Sequence, residues 1–193
     1  MKLAVLGATG RTGILVVREA LARGHEVTAV VRNPDKLTDK HDNLQLDGSP
    51  FQGMRKVTFF TDLIRPMVDA MREVKVTRLV FMSSWYTKYN SADPFIVNWV
   101  LKPLLLGQSL HNKAEMEDFL ETDCLDIRYT LVRPPQLTDS EPTGKPVLCM
   151  EGQSIKSAER KRFTCCRKDV AKFMIDITEK DEHIQKSMAI ASG

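Results

Sequence analysis

The first 32 residues spell strand, glycine-spaced turn, helix and strand, and alternation of this kind points to a parallel sheet. Lys2 to Leu6 is the first strand and Gly7-Ala8-Thr9-Gly10-Arg11-Thr12-Gly13 the turn; the helix is expected from about Arg11 to Arg23, with Ile14, Val17 and Leu21 on one face and Gly24 as its C-terminal cap. A G-x-x-G-x-x-G turn lets amides at a helix N-terminus approach a pyrophosphate. A side chain at Gly7 or Gly10 would block the approach, and the helix dipole favours the anion. Gly13 is expected to pack helix against strand.

Small residues also serve tight turns that hold no ligand, so the downstream context decides. The second strand, Glu26 to Val31, ends at Arg32, about 20 residues past the turn, where an NAD-binding chain would place an acid against the ribose hydroxyls. A cation there suits a 2′-phosphate. Arg11 and Lys36 could reach the same group, and three solvated surface cations are the alternative. The expected cofactor is NADPH.

The alternation continues with no repeat and no low-complexity linker. A helix is expected over Thr61 to Val74, with Thr61 as N-cap and Pro66 in its first turns, then a buried strand over Arg78 to Ser84. A second helix follows over Ser109 to Glu121, and then a strand over Ile127 to Val132 stopped by Pro134 and Pro135. The last third offers a strand at Val147 to Met150, a helix over Arg167 to Glu179 with Val170, Phe173, Met174 and Ile177 inward, and a closing strand at Ser187 to Ala191.

With 193 residues, 42% hydrophobic and 27% charged, the chain can bury one sizeable core. A net charge of +3 does not imply nucleic acid, and the basic run Glu159-Arg160-Lys161-Arg162 has no aromatic platform beside it, so it reads as a solvated loop or strand edge. Cys124, Cys149, Cys165 and Cys166 lack C-x-x-C spacing, which argues against zinc and against a disulfide framework. The apolar stretch Phe95 to Leu106 is interrupted by Asn98, Lys102 and Pro103 and is too short to span a bilayer. The expectation is a cytoplasmic protein, more a monomer than an oligomer, with a small-molecule partner and neither nucleic acid nor membrane.

Five segments in order carry a resemblance: the Gly7 to Gly13 turn, Val31-Arg32-Asn33-Pro34, Met82-Ser83-Ser84-Trp85-Tyr86, Lys113-Ala114-Glu115, and Leu131-Val132-Arg133-Pro134-Pro135. The chain resembles the NmrA-like atypical short-chain dehydrogenases, and among them the NADPH flavin reductase and biliverdin-IXβ reductase type. The resemblance implies an α/β, Rossmann-like, doubly wound parallel sheet. It also implies one NAD(P)-binding domain over residues 1–193, with its substrate side mainly at 134–166, and hydride transfer to a flavin or linear tetrapyrrole. By resemblance, Gly7, Thr9, Gly10, Arg11 and Thr12 line the pyrophosphate, and Arg32 with Lys36 takes the 2′-phosphate. Pro134, Pro135 and Gln136 form a rigid loop that borders the nicotinamide, and Ser83 is a further cofactor-binding residue. Ser84 lies by nicotinamide and substrate, with a helix-capping turn hydroxyl as the alternative.

Lys113 matches the lysine that holds the nicotinamide ribose, but Ser109 stands where the family's tyrosine is expected four residues earlier. Tyr86 is the substitute proton donor, unless it is a rim residue and the proton comes from solvent. Trp85 and Tyr86 are read as the rim of an open pocket for flat substrates, with a core anchor as the alternative for Trp85. A cofactor-binding regulator that reduces nothing is the competing reading, and the missing tyrosine favours it.

The chain also looks short of one sheet element. Residues 32 to 77 give about 46 positions for a segment that in a doubly wound fold needs about 60 or more. One central strand and its helix are expected to be missing, with the junction near Leu46 and Asp47. Asn43 to Leu46 is expected in a central slot, with a gap or a closed-up neighbour beside the first strand, unless Val57 to Phe60 supplies the lost strand.

Overall fold

The computed structural model describes residues 1–48, 59–88, 107–155 and 164–193. The first half-sheet is parallel: β1 (Lys2–Leu6), β2 (Glu26–Val31) and β3 (Leu44–Gly48), in the order β1-β2-β3. Helix α1 (Gly13–Ala22) crosses from β1 to β2 and buries Val16, Val17, Ala20 and Leu21. It stops where Gly24 adopts φ +78°, with Gly24 N–H donating to the Leu21 carbonyl and His25 N–H to the Ala20 carbonyl. That pair of bonds is the Schellman arrangement, so the glycine cap read from the sequence has a geometric cause.

The second half-sheet runs β4-β5-β9-β7, built from β4 (Arg78–Met82), β5 (Arg128–Arg133), β7 (Leu148–Glu151) and β9 (Lys186–Ala191). β4, β5 and β9 are parallel, whereas β7 pairs antiparallel with β9, which departs from the wholly parallel sheet expected. A parallel ribbon of β6 (Gln136–Thr138) and β8 (Thr164–Cys166), unforeseen in the sequence, stands apart. Helices α2 (Phe59–Glu73) and α3 (Gly107–Asp123) cover one face, packing Ile64, Val68, Met116 and Leu120 with Leu131 of β5.

Helix α4 (Arg167–Glu179) has the bounds expected of it and does a double job. Ala171 and Ile175 join the core of the first half-sheet, while Val170 and Ile177 pack with Val132 and Ile190 of the second. At its end Glu179 and Asp176 accept from Arg23 at 2.6 and 2.7 Å, and Glu179 meets His25 at 2.8 Å. α1 and α4 thus join two sheets between which no ladder forms among the described residues: β1 pairs with β2 and β4 with β5, and neither pairs with the other.

Among the described residues no strand pairs with the second edge of β1, where the chain-length argument puts the gap, and one strand, β3, lies between Arg32 and Arg78. Three expectations need correction. β3 is an outer strand rather than a central one, because β2 has one edge taken by β1 and a third strand can join only outside it. Val57 to Phe60 is not a replacement strand, since Phe59 and Phe60 open α2; residues 57 and 58 lie outside the described residues. The same start places Thr61 inside the helix rather than at its N-cap and Pro66 in its interior.

β4 is half-buried along its length, not buried as expected, and in β1 Ala4 and Leu6 are exposed. Strands at the centre of a complete doubly wound sheet have both faces covered and both edges paired. Among the described residues no helix is long and apolar enough to cross a membrane; residues 95–106 and 159–162, singled out in the sequence, lie outside them.

Candidate cofactor and active site

Ligands of open α/β sheets sit beyond the carboxyl ends of the strands, where the strand order reverses. Here that place faces the ends of β1 and β4. β1 delivers the glycine turn: Gly7 has φ +72°, Gly10 N–H closes the turn on the Gly7 carbonyl at 2.8 Å, and Ala8 beneath is fully buried. A Cβ on Gly10 would lie 3.1 Å from that carbonyl. Thr9 is half-buried and Thr12 is buried just before α1, whose first turn is tied to the glycine loop: Ile14 N–H donates to the Gly10 carbonyl, and Leu15 and Val16 N–H donate to the Thr12 carbonyl, each at 3.0 Å. Gly7 and Gly10 are exposed, so an anion can reach this cradle.

The three expected phosphate cations separate. Arg32, directly after β2, and Lys36, closing the 3-10 turn Pro34–Lys36, are both exposed, and Asn33 Oδ1 caps that turn by accepting from Asp35 N–H at 3.0 Å. Arg11 pairs instead with Asp139 in the loop after β6, a carboxylate that also binds Arg167 at 2.7 Å.

At the end of β4 two adjacent serines part company. Ser83 N–H continues the sheet onto the Val132 carbonyl at 2.8 Å, and its hydroxyl, buried, donates to Glu117 at 2.5 Å. Ser84 instead accepts from Lys113 Nζ at 3.3 Å. Lys113 comes from α3, where burial lowers its pKa below the usual lysine value and the Glu117 carboxylate opposes that shift. Pro134, buried, follows β5 and accepts from Trp85 N–H at 2.9 Å; Pro135 is half-buried, and Gln136 is exposed as the first residue of β6 rather than part of a loop.

The aromatic pair is placed differently from the open rim. Trp85 is 4% exposed and packs with Ile155, Ala189 and Ala191, so the core-anchor alternative is the correct one. Tyr86 meets it edge-on at 5.8 Å with φ +61° and is half-buried. Ser109 lies one turn before Lys113 in α3.

Sequence reasoning assigned no role to Glu117, Arg133, Thr87 or Asp139. The usable signal was Glu117 four residues after Lys113, on the same face of a helix. The described residues hold no group of His, Cys, Asp and Glu able to bind a metal, and burial pushes the Cys165 thiol up to about 11.

What the turn, the cations and the serine–lysine pair can do together is hold a dinucleotide and orient it at the end of β4, which is the work of a nucleotide-binding protein of the Rossmann class. The sequence matches the family described as NAD(P)H-binding over residues 7–49 and 49–181, and the chain belongs to that family. The two matched segments adjoin at residue 49, beside the place where the strand count falls short.

An uncharacterized chloroplast protein of Arabidopsis thaliana is 29% identical over 178 residues, covering 76% of this chain; the match spans 63% of that relative's own length. Two solved structures share the fold. One is a Streptococcus pneumoniae protein proposed to be an NADH-flavin reductase (TM-score 0.76, 22% identity, 100% of each chain covered). The other is the anaerobillin reductase ChuY of Escherichia coli (TM-score 0.72, 19% identity, 100% of this chain and 97% of that one covered).

Proposed function

We propose that the chain is an NADPH-dependent reductase that delivers hydride to a flat, conjugated acceptor, a flavin or a linear tetrapyrrole. The observation that carries the reading is the Lys113–Ser84 contact at the carboxyl end of β4, where a nicotinamide would lie. The exposed glycine cradle fits the pyrophosphate, and a Cβ on Gly10 would press on the Gly7 carbonyl that closes its turn. Arg32 with Lys36 would hold the 2′-phosphate, and Lys113 the nicotinamide ribose. Bound NADPH would supply the hydride; the protein supplies proximity and orientation. The Lys113 ammonium donates to Ser84 Oγ, which leaves the serine hydroxyl proton available to an acceptor atom above it.

A second reading, an NADP(H)-binding regulator of weak or no activity, is favoured by Ser109 at the tyrosine position and by the break between β1 and β4, which removes a strand end that would flank the cofactor. Steady-state oxidation of NADPH with flavin mononucleotide and with biliverdin separates the two. Turnover with either acceptor supports the reductase; saturable NADPH binding without turnover supports the regulator.

A further inference from the structure

One fully buried carboxylate accepts four hydrogen bonds and is not used by the proposed chemistry. Glu117, fully buried on α3, accepts from Ser83 Oγ at 2.5 Å, from Thr87 Oγ1 at 2.8 Å, and from Arg133 Nε and Nη2 at 3.1 and 2.7 Å. Arg133, 2% exposed at the end of β5, donates its remaining arm to the Gly152 carbonyl at 3.2 Å. Thr87 also reaches Gln153 at 3.0 Å. One buried ion pair therefore joins α3, the end of β4, the turn after it, the end of β5 and the turn after β7. Burying two charges carries a large desolvation cost that the pairing offsets only when the geometry is complete, so such a pair is weak as a stabiliser compared with apolar packing. Its value lies in fixing positions.

We propose that Glu117, locked by Arg133, is the positioning residue of this site: it sets the carboxyl end of β4 and holds the Lys113 ammonium against Ser84. This rests on the reductase reading. Lys113 and Glu117 are one helical turn apart on α3, and Ser83 and Ser84 are neighbours, so the carboxylate and the amine act on adjacent residues from the same helix. The Glu117 carboxylate favours the charged form of Lys113 against burial, and Glu117 is itself paired with Arg133, which also lies 3.6 Å from Glu121. Lys88 is occupied by Asp118 and Glu121, each at 2.6 Å. Glu117 is thus a carboxylate that supports the lysine's charge against burial.

The test is a double-mutant cycle with a spectroscopic arm. Glu117→Gln should lower kcat about tenfold or more while the acceptor KM changes less than about threefold, and in a Lys113→Met background the same substitution should cost nothing further. In the apoprotein with methyl-labelled lysines, NMR should show the Lys113 titration midpoint moved down by Glu117→Gln. Should Glu117→Gln alone fail to fold, the pair Glu117→Gln with Arg133→Met strands neither charge and is expected to show the same midpoint shift. An inactive wild type would defeat the reductase reading yet leave the NMR arm to decide the role of Glu117. Independent, multiplying losses in kcat, or an unmoved Lys113 midpoint, would overturn the proposal.

Discussion

Gly13 sits against the carbonyl of Gly7 so closely that a Cβ built on it would lie 2.1 Å from that oxygen and 2.9 Å from its carbon. The third glycine of the turn is therefore required by the first, and the contact is backbone on side chain, with no flexible atom to yield. Gly13→Ala should cost about 1 to 3 kcal/mol of stability, the scale of an overpacked site. It should also weaken NADPH binding about tenfold or more by displacing the amides of the turn. Thermal melting and a fluorescence titration check both; an alanine variant that binds like the wild type would remove the turn from the cofactor site.

Arg32 and Lys36 are exposed at the end of β2, as a 2′-phosphate site requires. NADPH should be preferred over NADH by about 1 to 3 kcal/mol, the worth of charge-assisted hydrogen bonds. Arg32→Ala should weaken NADPH and leave NADH nearly unchanged. Equal losses for the two cofactors would defeat the assignment. Because Arg11 pairs with Asp139, Arg11→Ala is expected to alter cofactor discrimination less than Arg32→Ala.

Lys113 and Ser84 should fail differently. Lys113→Ala removes the donor to Ser84 and the expected ribose contact, so binding and turnover should fall together, whereas Ser84→Ala should lower kcat about tenfold with little change in NADPH affinity. Rapid-mixing kinetics together with cofactor titration resolve the pattern, and unchanged rates in both variants would make the pair structural.

How much of this was readable in the chain depended on whether the cause was local. The Gly7 to Gly13 turn, the Gly24 cap and the bounds of α4 follow from spacing over a few residues. The gap beside β1 was readable through length alone, because about 46 positions cannot hold the elements a complete sheet needs. β6 and β8 were not readable: three residues each carry no periodicity, and their pairing joins Gln136 to Thr164 across the chain. Glu117 was hidden for a different reason. A glutamate in a helix of mixed polarity reads as surface, and its burial is set by Arg133 and Ser83, which come from other strands.

The clasp between α1 and α4 should make the molecule acid-sensitive. Burial pushes Asp176 and Glu179 up, but hydrogen bonds outweigh it, from Lys172 and Arg23 on Asp176 and from Arg23 and His25 on Glu179, and both carboxyls are held below their usual range. Their folded-state pKa values are depressed, so they contribute stability above the unfolded carboxylate value of about 4 and lose it as pH falls through the lower folded value. Melting temperature should fall from about pH 5 downward. Arg23→Ala should remove about 1 kcal/mol at neutral pH and flatten that acid limb. A limb of unchanged steepness would place the acid sensitivity elsewhere.

Native-state hydrogen exchange reads the break in the sheet directly. Among the described residues β2 is paired on both edges, whereas β1 is paired on one. In a parallel ladder alternate residues turn their amides to opposite edges, so about half of the β1 amides should exchange far faster than those of β2. Uniform protection along β1 would show that its second edge is covered.

An edge in the middle of a fold also changes how copies of the chain treat one another. Peripheral edges are ordinarily blunted by charges, bulges or prolines, and β1 carries a single charge, Lys2, at its start, followed by Leu3, Ala4, Val5 and Leu6. Its outer ladder groups and the exposed Leu6 offer a template that another extended apolar segment can join. Warming, which loosens the helical clasp first, should therefore bring turbidity that rises with protein concentration. A short apolar peptide supplied in excess should suppress it by occupying the template before a second copy does.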